Sequence, residues 1–332
     1  MTPEAAEDLP LSGFTVLELG EGVSAPFCGK LLADYGADVI KVEPLEGDPA
    51  RRHGPFPDSA TGVGLPHPEK SALFLYLNTN KKGVTLDFST ASGARLLRRL
   101  VEEVDVLVEN QPPGLLEELG LSFRELARLN PRLLMVSVKP FGEGPYGRWK
   151  ATNLTSFASG GQMYLTGDPD REPLLSGGYQ AEYQAGLNAF AATLAALLGL
   201  AVMEVGQHVE VSAMECQACV LENYLPDYAY RRSDAPGRRR GKVDCVLTLE
   251  EALASPQMTA RRYFQEVDHP MAGRWVYPGP PFRLTDGPAS DGGWGWRAGR
   301  APLLGEHNEE VFGGLLGLER PDQVRLRAAG IV

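Results

Sequence analysis

The chain has 332 residues, 43% of them hydrophobic and 23% charged, which suits a globular protein built as one large domain with a smaller companion. Its net charge of −11 leaves no basic surplus to neutralise phosphates, which argues against nucleic-acid binding. Four cysteines (Cys28, Cys216, Cys219, Cys245) are too few for a disulfide scaffold, and residues 1–10 are acidic and polar rather than leader-like, so a cytoplasmic location without membrane association is expected.

Taken in order, residues 14–19 (FTVLEL) predict a buried strand, followed by a glycine-rich turn and a helix that Pro26 opens and that runs to about Tyr35. Residues 38–43 (DVIKVE) predict the next strand, and this β-turn-α-β order begins a parallel, doubly wound sheet. The turn Gly20-Glu21-Gly22-Val23-Ser24-Ala25 matches G-x-G-x-x-[GA], with Glu43 at roughly the distance of a ribose contact. Glu21, however, puts negative charge where a pyrophosphate would sit, and Pro26 starts the helix at once, so NAD binding is disfavoured.

Residues 44–70 are rich in proline, glycine and charge and predict a long loop. Strands are expected over 84–88, 105–110 and 133–138, with a helix over 90–104 whose Leu96, Leu97, Leu100 and Val101 share a face. Ligands in such sheets sit outside the carboxyl ends of the strands, where Glu43, Asn110 and Lys139 fall.

The proline-free run from Leu174 to Leu200 opens with Ser176-Gly177-Gly178 and continues Ala/Leu-rich, predicting a long helix that is apolar on nearly every face and buried in the core. Glu182 is its one ionisable residue and lies in the first turn, where unpaired N–H groups and the helix dipole would hold it ionised. Acidic residues commonly favour helix starts without further duty, so position alone does not make Glu182 a nucleophile. The run 187–202 is too short and alanine-rich to be expected to span a membrane. A strand over 209–212 and a helix over 213–225 follow. Cys216 and Cys219 have the CxxC spacing, but no second pair completes a zinc site, so buried free thiols and no metal are expected.

Composition then changes. Residues 230–244 (YRRSDAPGRRRGKVD) predict a charged linker rather than a binding patch. A helix should start at Leu247 with Thr248 as N-cap, strand-like pieces fall at 275–277 and 282–284, and 285–300 is loose. The expected domains are a large Rossmann-like domain over 1–229, a linker with a reduced small-domain remnant over 230–300, and a tail over 301–332 that returns to the large domain.

Seven stretches together resemble the family III CoA transferases, a group that includes the 2-methylacyl-CoA racemases. They are VLELGEGVSAPFCGKLLADYGADVIKVEP, NKKGVTLDFSTASGARLLRRLVEEVDVLVENQPPGLLEELGL, LNPRLLMVSVKPFGEGPYG, GQHVEVSAMEC, VLTLEEALASPQ, HPMAGRWVYPGPPFRL and APLLGEH, and they occur in the family's order along nearly the whole chain. The resemblance implies a Rossmann-like doubly wound parallel α/β sheet with a reduced second domain, and an interlocked homodimer. It implies coenzyme A, carried as acyl-CoA, and a small carboxylic acid as the substrates.

By the same resemblance Glu182 stands at the family's catalytic aspartate, and Val23, Leu86, Asn110, Gln111 and Lys139 stand at coenzyme A contacts. Three departures accompany the match. The catalytic carboxylate is a glutamate, and Thr152-Asn153 replace the racemases' histidine and aspartate. Most of the family's small domain is missing between Val243 and Val246. An arginine expected near Glu118 is also replaced by that glutamate. Racemisation needs a second acid/base on the opposite face of the α-carbon, which Thr152 cannot supply. CoA transfer through Glu182 is therefore the leading expectation. A non-catalytic subunit of a heteromeric transferase and a repurposed lyase or dehydratase are the alternatives.

Overall fold

Short runs buried on both faces make most strands of the central sheet, the exception being the edge strand over 207–212, which is partly exposed. The computed structural model describes residues 9–57, 64–221, 224–231, 247–282, 284–285, 293–294 and 299–332. Its elements begin β1 (Thr15–Leu19), α1 (Ser24–Asp34), β2 (Asp38–Glu43), a 3₁₀ turn (Pro49–Arg52), α2 (Ala72–Leu77), β3 (Lys82–Thr85), α3 (Ala91–Glu102) and β4 (Val106–Glu109). They continue α4 (Leu115–Glu118), α5 (Phe123–Leu129), β5 (Leu134–Lys139), α6 (Asn153–Ser159), α7 (Gln162–Leu165), α8 (Gln180–Met203) and β6 (Gln207–Ser212). All six strands pair in parallel, in the order β3-β2-β1-β4-β5-β6.

This is the doubly wound α/β arrangement that the βα alternation implied. The order reverses between β1 and β4, and a crevice opens there at the strands' carboxyl ends. Alternate residues divide two cores. Val16, Val39, Val106 and Val136 face α1 and α8 on one side, while Leu17, Ile40, Leu107 and Met135 face α3 and α5 on the other.

The remaining elements are α9 (Ala213–Ala218), α10 (Tyr224–Arg231), α11 (Leu249–Leu253), α12 (Pro256–Ala260), β7 (Phe264–His269), β8 (Gly273–Pro278), β9 (Leu284–Thr285), β10 (Gly293–Trp294), a π-helical stretch (Glu309–Leu315) and α13 (Arg320–Ala328). β7 and β8 form an antiparallel hairpin whose Val267 and Tyr277 pack with Ala50, Phe74 and Leu75. Residues 301–332 meet the open edge of β3. The Thr85 N–H donates to Asn308 Oδ1 at 2.9 Å, and the Gly83 N–H donates to His307 Nδ1 at 3.0 Å. Phe312 from the same stretch is fully buried beside β3, so the edge is covered rather than left to pair with another strand.

Several expectations are corrected. Phe264–His269 forms a strand outside the expected pieces at 275–277 and 282–284, and the second of these reduces to Leu284–Thr285. The helix expected over 213–225 ends at Ala218. Cys216 is buried but Cys219 is exposed. Most of the linker 230–244 and of the segment 285–300 lies outside the described residues.

The largest correction concerns α8, which is not buried all round. Ala181, Ala185, Ala189, Thr193, Ala196 and Leu200 face the core, while Leu198 is 74% and Val202 83% exposed on the outer side. Small residues line the inner side because α1 crosses there at close range. By length and composition alone α8 could cross a membrane, but its inner face packs on the sheet and α1 as a core helix does.

A Cβ placed on Gly186 would lie 2.4 Å from the Ser24 carbonyl oxygen of α1. Gly→Ala in an open helix gains about 1 kcal/mol. At this crossing, by contrast, overpacking is expected to make Gly186→Ala cost about 1–3 kcal/mol in urea unfolding. Unchanged or raised stability would show that the helices tolerate a wider spacing.

Candidate active site at the β1 turn

β1 ends in the turn Gly20–Ser24, and three consecutive N–H groups of that turn point at oxygen atoms of the chain itself. The Glu21 N–H donates to Asn110 Oδ1 at 2.8 Å, and the Gly22 N–H donates to Asp48 Oδ1 at 3.1 Å. The Val23 N–H faces the carboxylate of Glu182 and favours its charged form. Gly22 adopts φ +70°, a conformation that side chains disfavour, and its open Cα side faces Glu182 Oε2. In a dinucleotide-binding turn these donors would meet a pyrophosphate. Here they are already taken. Glu43, the candidate ribose contact, instead forms a two-point pair with Arg51 at 2.7 and 2.8 Å.

Buried charges hold the oxygens that the turn uses. Asp48 Oδ2 pairs with Lys41 at 2.8 Å, and Lys41 also reaches the Gly20 carbonyl oxygen at 2.6 Å and Glu18 at 3.1 Å. Burial works against the charge on Lys41, but Asp48, Glu18 and Glu43 outweigh it and raise the ammonium pKa. Lys41 in turn outweighs the burial of Asp48 and lowers that carboxyl below its ordinary value. On the far side of the turn Asn110 spends its whole amide, donating to the Glu21 carbonyl oxygen at 2.7 Å and to Ser24 Oγ at 3.0 Å.

Glu182 lies in the first turn of α8, at the end that faces the strands' carboxyl ends. Tyr179, the residue before the helix, offers no side-chain cap. Asn153 does that work from α6, its Oδ1 accepting the Ala181 N–H at 3.0 Å and its Nδ2 donating to the Gly178 carbonyl oxygen at 3.2 Å. Burial raises the Glu182 pKa above its ordinary value, with the Val23 N–H pulling the other way. Desolvation thus outweighs the help that the Val23 N–H gives to the charged form. A partly desolvated carboxylate with one fixed donor is a better nucleophile than a fully hydrated one. Gly177 and Gly178, just before α8, have open space where a side chain would be.

The structure brings Val23, Asn110 and Glu182 together on the β1 turn. Gln111 is buried behind it, donating from Nε2 to the Leu19 carbonyl oxygen at 2.7 Å. Leu86 lines a cleft of about 290 Å³ at the ends of β1 to β3. Lys139 lines a separate cavity of about 260 Å³, with its ammonium 2.7 Å from Glu109 and from the Gln111 carbonyl oxygen. Nothing in the residue order marks Asp48 or Lys41, and Asn153 stands out there only as a departure from the racemases. Asp48 sits in what reads as a featureless Pro/Gly loop, and only the fold carries it under Gly22.

The sequence profile of CoA-transferase family III matches residues 11–245. This chain belongs to CoA-transferase family III. Succinyl-CoA–D-citramalate CoA-transferase of Chloroflexus aurantiacus is 30% identical, with 97% of this chain and 98% of that protein covered. The matched span runs to 415 positions against the 332 residues here, so a long stretch of that relative has no counterpart in this chain. Formyl-CoA:oxalate CoA-transferase of Streptomyces coelicolor is 26% identical over 97% of this chain and 99% of its own length. The crystal structure of a CAIB/BAIF family protein from Brucella suis superposes with a TM-score of 0.80 at 27% identity, covering 92% of this chain and 99% of that one.

For a family III CoA-transferase, the geometry of the β1 turn sets where the carboxylate of α8 meets its donor. Asn110→Ala would leave the Glu21 N–H and carbonyl without partners, a cost of about 1–3 kcal/mol for such groups. A fall in melting temperature of several degrees is expected in thermal unfolding. A variant as stable as the wild type would mean that the turn is held by Asp48 alone.

Proposed function

We propose that the chain moves CoA between an acyl-CoA and a small carboxylic acid, with Glu182 as covalent nucleophile, and that it works as a cytoplasmic homodimer. The observation that carries the reading is the Glu182 carboxylate at the amino end of α8, met by the Val23 N–H of the β1 turn. In this scheme the carboxylate attacks the thioester carbonyl, the C–S bond breaks, and CoA leaves as thiolate from a mixed anhydride. The thiolate returns to the glutamyl carbonyl and releases the donor acid, which leaves a glutamyl-CoA thioester. The acceptor carboxylate attacks that thioester, and the thiolate attacks the resulting anhydride on the acceptor's acyl carbon, regenerating Glu182. In this scheme the Val23 N–H donates to the oxyanion that forms on the glutamyl carbon.

Glu182→Gln keeps the shape and removes the attacking charge. Turnover should fall by about a thousandfold or more while acyl-CoA still binds, because losses of a nucleophile act on the chemical step. Acyl-CoA followed by hydroxylamine should label Glu182 in the wild type, and full activity in Glu182→Gln would remove it from the mechanism.

The ionised form is the reactive one, and burial raises its pKa above 4.5. The acid limb of kcat/KM should therefore fall through a pH above that value as protons return to Glu182. A profile still flat at pH 4.5 would contradict a raised nucleophile pKa.

Support for the homodimer comes from the outer side of α8, where Leu187, Leu198, Val202 and Met203 are more than half exposed. A contiguous apolar helix face suits burial against a second copy. Light scattering at about micromolar concentration should give twice the chain mass, and a monomer would count against the assembly.

A further inference from the structure

A carboxylate that attacks a thioester must be held to within about half an ångström, so the groups that fix its backbone matter as much as its own side chain. Resting on the transferase reading, the question is what holds Glu182. Its own helix does not supply the usual fixture, because Tyr179 at the N-cap of α8 makes no side-chain cap. The fixture comes from α6. Asn153 is buried, and its Oδ1 accepts the N–H of Ala181, the residue immediately before Glu182, at 3.0 Å. Its Nδ2 donates to the Gly178 carbonyl oxygen at 3.2 Å, on the other side of the helix start. One amide therefore ties the glycine segment, with Gly178 at φ +72°, to the first turn of the helix.

Asn153 is itself fixed. It is the first residue of α6, and Thr152 caps that helix by accepting the Thr155 N–H at 3.4 Å. At the other end of α6, a Cβ on Gly160 would lie 2.2 Å from the Cβ of Gln217 on α9. Gln217 is fully buried and donates from Nε2 to Gln184 Oε1 at 2.7 Å. Glu182 thus lies between two tethers, Ala181 to Asn153 and Gln184 to Gln217, whose anchors are joined through α6. From the β1 turn the Val23 N–H faces its carboxylate. An amide suits position 153 because it offers an acceptor and two donors without charge. A carboxylate there would still accept the Ala181 N–H. It would, however, face the Gly178 carbonyl oxygen with no donor, and it would add a second negative charge beside Glu182.

We infer that Asn153 is a positioning residue for the transfer reaction: its neutral amide sets where the Glu182 carboxylate stands, and with it the rate of the chemical step rather than the binding of the thioester. It acts through the backbone of Ala181 and Gly178.

The test uses the full chain and isotope exchange, with labelled acetate entering acetyl-CoA and labelled glutarate entering glutaryl-CoA. Asn153→Ala removes both bonds. Its kcat per folded molecule should fall about ten- to a hundredfold, while KM for the acyl-CoA changes by less than about threefold. Asn153→Asp keeps the shape and the acceptor, so it decides the matter where the alanine variant does not fold. The acid limb of its kcat/KM should lie about half a pH unit or more higher, because a second carboxylate hinders ionisation of Glu182. Tyr183, the titratable neighbour on α8, does not enter that limb, since burial pushes its hydroxyl up to about 12. A residue that only stabilised the helix start would lower the melting temperature and leave both the limb and the folded-state kcat in place. Asn153→Ala turning over within about twofold of the wild type, or an unmoved acid limb in Asn153→Asp, overturns the inference and leaves the transferase reading standing. Exchange of neither acid by the wild type, or full exchange by Glu182→Gln, overturns the transferase reading itself.

Discussion

The Glu18 carboxylate, sealed from solvent between Lys41 and Lys81, is the contact from which the site is hung. Lys41 lies 3.1 Å from one oxygen and Lys81 2.7 Å from the other. Such buried pairs add little net stability, because desolvation consumes most of the Coulomb gain, but each charge must then be matched by geometry. Lys41 satisfies its remaining protons on the Gly20 carbonyl oxygen and Asp48, and Lys81 on the Pro26 carbonyl oxygen and Asn78. Burial brings Lys81 down to about 8, with Glu18 opposing. One carboxylate thereby sets both ends of the turn that joins β1 to α1. Gly29 on α1 leaves the room that this requires, since a Cβ there would lie 1.8 Å from Glu18 Oε2.

That arrangement reverses the usual purpose of a glycine-rich turn after the first strand of a doubly wound sheet. The backbone still presents consecutive N–H groups, as in a phosphate-binding loop. They meet Asn110, Asp48 and Glu182 instead, so the turn organises carboxylates of its own chain. The fold is shared with dinucleotide-binding proteins and the chemistry is not, because function is decided by what fills the donors.

The helix α8 joins the two requirements. Its inner side is mostly alanine, glycine and threonine, joined by Phe190, Leu197 and Leu200, which lets α1 cross close by at Gly186, and Thr193 Oγ1 turns back to the Ala189 carbonyl oxygen at 2.7 Å. Its outer side is leucine, valine and methionine with no covering element among the described residues. A low hydrophobic asymmetry therefore has two sources: tight packing on one side and an apolar face without a partner on the other.

The parallel sheet and the positions of its main strands were readable from residue order, since β1, β2, β4 and β5 are runs whose apolar residues fill both faces of a parallel sheet, while the strand order came only with the fold. Thr248 caps its helix as expected, and Thr90, expected inside its helix, caps it instead. The family was legible too, because its segments keep their order, and with it Glu182 at the start of a long helix. What the residue order could not show was contact across the fold. Asn110 and Lys139 read as free polar groups at strand ends, yet both are bound inward, and Asp48 and Asn153 gave no local sign of their work. Likewise Glu182 looked like an acid eased by a helix terminus, and only packing showed that burial works against its charge. Local pattern records propensity and periodicity, which act within a few residues. Hydrogen-bond partners 25 to 89 positions apart, and the loss of water around a charge, exist only once the chain has closed on itself.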